Sequence, residues 1–140
     1  MAIIEGTRAV GGLSVGQPKV ARGLYDFAVD GGAVGAITLR GDAVPSGAII
    51  VDTLIQVETV LASGGSATVS IGTEGAADMQ SAAAYNAAPW SSTGAKRGTL
   101  TATAAPVKTT QKRNITATVG TAALTGGKFQ VLVWYVELGS

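Results

Sequence analysis

The chain contains no cysteine and no histidine. Without them there is no thiolate nucleophile, no imidazole base, none of the usual zinc ligands and no disulfide framework. Charge is sparse, at 14% of residues, and aromatics make up only 5%. A formal net charge of +1 offers no bulk attraction for nucleic acid or an anionic membrane. No apolar run approaches the roughly 20 residues that cross a bilayer. The start, Met1-Ala2-Ile3-Ile4-Glu5-Gly6-Thr7-Arg8, lacks a basic segment followed by an apolar core, so no secretory signal is expected. These absences lead to the expectation of a non-enzymatic protein assembled in a cytoplasm, with no cofactor, metal, nucleic acid or membrane partner.

What is present is glycine, alanine, threonine and valine, in 140 residues. That length suits one domain with a real core. The strongest strand signal is the run Lys128 to Leu138. Side chains alternate across a strand, so Phe129, Val131, Val133 and Tyr135 share one face. Leu132, Trp134, Val136 and Leu138 share the other. Both faces are apolar, which predicts a central strand covered on each side, by a second layer or by another subunit. The second face is therefore the candidate oligomer interface.

Residues 1–19 hold Gly11-Gly12, Gly16 and Pro18 with no sustained periodicity, and are expected to form an extended N-terminal arm preceding a domain over 20–140. A strand is expected from Val20 to Val29, with Tyr25, Phe27 and Val29 on one side, ended by Asp30-Gly31-Gly32. Ala36–Arg40 follows, with Ile37 and Leu39 inward. Ala48–Leu61 is the longest candidate, with Ile49, Val51, Ile55, Val57 and Leu61 on one face and a bulge expected near Asp52-Thr53. Ser63-Gly64-Gly65 signals a hairpin to Ala67–Ile71. Ala76 to Ala84 suits a short helix capped by Thr73. Asn86 to Gly94 reads as a loop, on which Trp90 is expected to anchor or to meet a partner. Strands are expected over Gly98–Ala104, Val107–Thr110 and Arg113–Val119, with a last turn at Thr125-Gly126-Gly127. Eight or nine short strands separated by glycine-rich turns predict an all-β fold, a single-domain β-sandwich or jelly-roll-like barrel.

Charge is segregated along the chain, with net +2 over residues 1–22, −6 over 23–95 and +5 from 96 onward. Cross-strand pairing within one subunit is the simpler reading; contact between copies is the other. Two carboxylate pairs, Asp26 with Asp30 and Asp52 with Glu58, are the remaining acid–base candidates, and read more simply as strand and turn residues. Arg40-Gly41-Asp42 spells an integrin-binding tripeptide, but its simpler meaning is a turn after a strand.

The run Tyr25-Asp26-Phe27-Ala28-Val29-Asp30-Gly31-Gly32-Ala33-Val34-Gly35-Ala36-Ile37-Thr38-Leu39, then Val44-Pro45-Ser46-Gly47, resembles small virion structural proteins of tailed bacteriophages and prophages. Ala67-Thr68-Val69-Ser70-Ile71-Gly72-Thr73 and Leu124-Thr125-Gly126-Gly127-Lys128-Phe129 look similar in kind. The resemblance implies a capsid-associated β-sandwich, a head decoration or cement protein. It further implies a homo-oligomer, often a trimer, located on the virion and bound to the major capsid protein. Ile3, Ile4, Arg8, Val10 and Trp90 are the candidate capsid contacts. A tail, neck or fibre component is the alternative, as is a carbohydrate- or receptor-binding module using Tyr85 and Trp90.

Overall fold

The computed structural model describes residues 17–100 and 106–138. Its strands are β1 (Lys19–Asp26), β2 (Gly35–Val44), β3 (Ile49–Ser63), β4 (Thr68–Gly72), β5 (Gln80–Ala84), β6 (Gly94–Arg97), β7 (Arg113–Gly120) and β8 (Leu124–Val136). A single helical turn, α1 (Phe27–Asp30), follows β1. Among the described residues the eight strands form one antiparallel sheet in the order β5-β4-β7-β2-β1-β8-β3-β6. The sheet curls over a single core, as expected for a sandwich or barrel-like domain.

The long strand β8 lies between β1 and β3. Its buried face carries Phe129, Val131, Val133 and Tyr135, as the alternation predicts. Phe129 is the centre of an aromatic cluster, 5.0 Å from Tyr25 and 4.8 Å from Trp90, ring centre to ring centre. Ile115, Ala117 and Val119 of β7 also point inward, as expected.

β3 runs for 15 residues and changes register with β8 at several points. One shift lies between Ile50 and Asp52, where the sequence leads one to expect a bulge. The extra residue reverses the side-chain parity. Ile50 and Thr53 are therefore buried, and Val51, expected inward, is 48% exposed. Beyond the bulge Ile55, Val57 and Leu61 point inward as predicted.

Several expectations are corrected. β1 stops at Asp26, whose carboxylate accepts the Ala28 N–H and caps α1, so Phe27 and Val29 leave the strand. Ser63-Gly64-Gly65 is not a hairpin: β4 pairs with β5 and β7, and the segment crosses between two regions of the sheet. The expected helix over 76–84 is a turn region followed by β5. No apolar stripe could have held a helix on the core, whereas alternate β5 residues can pair with β4. Thr125-Gly126-Gly127 lies within β8; the preceding turn is at residues 121–123. Gly98 to Leu100 is not strand, 101–105 falls outside the described residues, and Val107–Thr110 contributes a single bridge from Lys108 to Ile49.

Arg40-Gly41-Asp42 is likewise within β2, not in a turn after it. Gly41 has φ +121°, and a Cβ there would collide with the Arg22 carbonyl. Its neighbours are engaged, Arg40 with Asp30 and Asp42 with the Arg22 N–H.

Truncating Phe129 to Ala should remove the contacts to both Tyr25 and Trp90 and destabilise the fold by about 3–5 kcal/mol. Urea unfolding measures this; a loss below about 1 kcal/mol would remove the cluster from its central place.

Candidate interaction surface

The side of β8 facing away from the core presents Gln130, Leu132, Trp134 and Val136, all half-buried, with Leu138 beyond the strand end and 61% exposed. Register assembles their neighbours. Trp134 lies between Val20 of β1 and Asp52 of β3, and Leu132 between Arg22 and Leu54. Leu54 in turn pairs with Arg97 of β6. The result is an apolar stripe along three adjacent strands, bordered by arginines. Within one chain, then, β8 is fully covered on one face only. Val20 and Leu54 belong to this surface but do not stand out in the sequence, because cross-strand register alone puts them beside Trp134 and Leu132.

Trp90 is corrected: it is fully buried and offers no contact to a partner as placed. The chain after β5 folds through turns in which Trp90 N–H donates to the Ala87 carbonyl, carrying the indole inward. Its Nε1–H donates to the Val69 carbonyl at 3.2 Å. Tyr85 and Trp90 therefore do not form an exposed aromatic platform. Ile3, Ile4, Arg8 and Val10 lie outside the described residues.

The charges segregated along the sequence meet in space. Lys19 pairs with Glu137 at 2.9 Å, Arg113 with Glu74 at 2.6 Å and Lys128 with Glu58 at 3.6 Å. Arg97 pairs with Asp52, and Arg40 with Asp30 at 2.9 Å. Three of these pairs join the acidic middle of the sequence to its basic last third. The pairing within one subunit is thus the observed arrangement.

The carboxylates considered for acid–base work are held by these partners. Asp26 Oδ1 accepts from Ala28 N–H, and Asp30 Oδ2 from Asp26 N–H. Burial opposes ionisation of Asp30, but the Arg40 hydrogen bond, the Asp26 N–H and the Arg40 charge outweigh it and hold its pKa below the ordinary range. Asp52 and Glu58 are engaged by Arg97 and by Lys128 and Gln130. Burial first, then the charges of Asp30 and Asp26, push the Tyr25 hydroxyl up to about 12. Tyr25 Oη–H donates to the Gly31 carbonyl at 2.6 Å, fixing the turn after α1.

A cleft of about 240 Å³ opens between the two edge strands, lined by Gln80, Ala88, Pro89, Lys96, Arg97 and Thr99. Its polar groups are largely occupied. Gln80 donates to the Ser81 carbonyl and accepts from Thr99 N–H, bridging the β5 edge to the segment after β6. Lys96 donates to the Ser92 carbonyl, and Arg97 to Asp52.

No protein-family model matches the chain, and no curated protein matches its sequence. Solved structures do match by shape. A chain of the capsid asymmetric unit of cyanophage Pam1 has a TM-score of 0.64 at 21% identity, covering 88% of this chain and 86% of that one. A chain of the acid-stable capsid of Helicobacter pylori bacteriophage KHP30 has a TM-score of 0.61 at 20% identity, covering 89% and 92%. A chain of the capsid of Ralstonia phage GP4 has a TM-score of 0.60 at 16% identity, covering 90% and 88%.

Glu74 supplies a pH test. The Arg113 hydrogen bond, then the Thr110 N–H, hold its carboxyl below the ordinary value of 4.5. A depressed pKa gives stability that is present above pH 4.5 and is lost as pH falls through the lowered value. Glu74→Gln should therefore lower the Tm near neutral pH and flatten its fall between pH 5 and 3 (about those limits). Parallel Tm–pH curves for the variant and the parent would rule out this contribution. The fold of this chain is the one found in chains of those three phage capsids.

Proposed function

We propose that the chain is a virion structural protein of a bacteriophage, a capsid decoration or cement protein that binds the major capsid protein lattice and stabilises it. The observation that carries this reading is the shared fold, which extends over about nine-tenths of this chain and of the capsid chains it matches. The chemistry supports it. The chain has no histidine or cysteine, and several of its carboxylates are engaged by cations or backbone N–H groups. Such a protein acts by contact area and multiplicity, with no bond to make or break.

The apolar stripe of Leu132, Trp134 and Val136, with Leu138 beyond it, is the proposed contact between copies. A homo-oligomer, with a trimer the preferred number, would cover the outer face of β8 and complete its burial. The segment 1–16, with Ile3, Ile4, Arg8 and Val10, is the proposed reach toward the shell. Fully extended, it spans up to about 50 Å, as far as the domain's longest strand. The position on the outer surface of the shell and assembly in the host cytoplasm belong to the same proposal.

Electron microscopy of the virion tests the assignment by position and copy number. Many copies on the shell are expected; a few at the tail or neck would overturn it. Trp134→Glu places a charge on the proposed contact, while Trp90 and Phe129 still hold the core. Sedimentation of this variant should show a monomer where the parent sediments as an oligomer. An unchanged sedimentation coefficient would remove the β8 face from the interface.

A further inference from the structure

Between β1 and β2 the chain makes a small knob, residues 27–34. Its four exposed residues are Ala28, Val29, Ala33 and Val34, all apolar. Val29 is 65% exposed and Val34 58%. The one charged side chain in the segment, Asp30, turns inward onto Arg40 and is 9% exposed. The knob is tied down at several points. Asp26 caps α1 by accepting the Ala28 N–H, Tyr25 Oη–H donates to the Gly31 carbonyl, and Leu124 N–H donates to the Gly32 carbonyl at 2.8 Å. Gly32 is pressed so close to β8 that a Cβ there would collide with the Leu124 carbonyl. Valines held out on a fixed support cannot fold back to cover themselves, and such a patch marks a contact site.

Six large apolar side chains are exposed among the described residues. Three belong with Trp134. Val20 is its partner on β1, Val51 is the bulged residue next to its β3 partner Asp52, and Leu138 follows the end of β8. Two are the knob valines, and the sixth, Val60, lies toward the knob's end of the sheet on β3. The exposed apolar surface thus gathers in two places. β1 runs from one to the other, and its eight residues set them about 25 Å apart along the strand.

Symmetry selects the occupant. A stripe packed on the same stripe of a second copy would make a twofold contact and leave both knobs bare. A closed ring of three needs two different surfaces on each copy, one meeting the other head to tail. The chain carries such a pair, a narrow projecting knob and a broad sheet face. The charges agree with this pairing. Among the described residues neither Arg22, exposed beside Leu132, nor Asp26, at the base of the knob, is in an ion pair. Seating the knob on the stripe can bring these opposite charges together across the contact.

We propose that the knob at residues 27–34 of one copy seats on the stripe around Trp134 of the next. The inference rests on the homo-oligomer reading above and names the surface that meets the stripe.

The test follows the full-length chain by sedimentation velocity. Val29→Asp with Val34→Asp should raise the concentration needed for assembly by at least about tenfold, the effect also expected of Trp134→Glu. The Tm of the double variant should stay at the parent value, because both side chains are exposed. The two variants are then mixed in equal amounts. The Trp134→Glu chain keeps its knob and the double aspartate chain keeps its stripe, so one sound contact remains, and the two monomers should form a two-chain species. An oligomer that survives the double aspartate change, with or without loss of shell binding, overturns the proposal. So does a mixture that stays monomeric. A parent chain that is itself monomeric at every concentration overturns the homo-oligomer reading instead.

Discussion

The structure depends on β8 being hydrogen-bonded on both edges, to β1 on one side and β3 on the other. That position fixes which of its faces turns inward. Once Phe129 is inside, Tyr25 from β1 and Trp90 from the β5–β6 connection close around it. Slipping β8 by one residue would exchange Phe129, Val131 and Val133 for Gln130, Leu132 and Trp134. The core would then have to accept an amide and an indole in place of a phenyl ring. Register is therefore specified by packing, and the outward stripe is its direct consequence.

Ion pairs play a different part. Most are partly exposed, and pairs of that kind contribute little to stability singly. Their importance lies in where they are. The acidic middle and the basic last third of the sequence would repel within themselves if each folded locally. The sheet instead interleaves them, so that Asp52, Glu58 and Glu74 each meet a cation from the final third.

Much of the architecture was legible from the residues. The alternation in β7 and β8 predicts their inward faces, and the length of β3 predicts a bulge. Other elements were not legible. Five residues with three alanines, Gln80 to Ala84, carry no periodicity strong enough to distinguish strand from helix, and pairing with β4 decides it. Val29 follows the pattern of β1, yet the Asp26 cap ends the strand three residues earlier. Trp90 looks like a surface anchor in a polar loop, whereas the turns around Ala87 swing it into the core. For β5 and Trp90 the deciding contact is distant in sequence, whereas for Val29 it is the local cap at Asp26.

The sequence by itself determined the all-β class, the missing reactive groups and the two apolar faces of the last strand, because these follow from composition and from a two-residue repeat. Only the tertiary structure decided which strands are neighbours, that Trp90 is interior, and that Val20 and Leu54 extend the Trp134 stripe. It alone decided that the acidic middle of the sequence meets the basic last third in ion pairs. The physical reason is the same throughout: cross-strand register and loop placement are set by long-range packing, and no local stretch of residues encodes them.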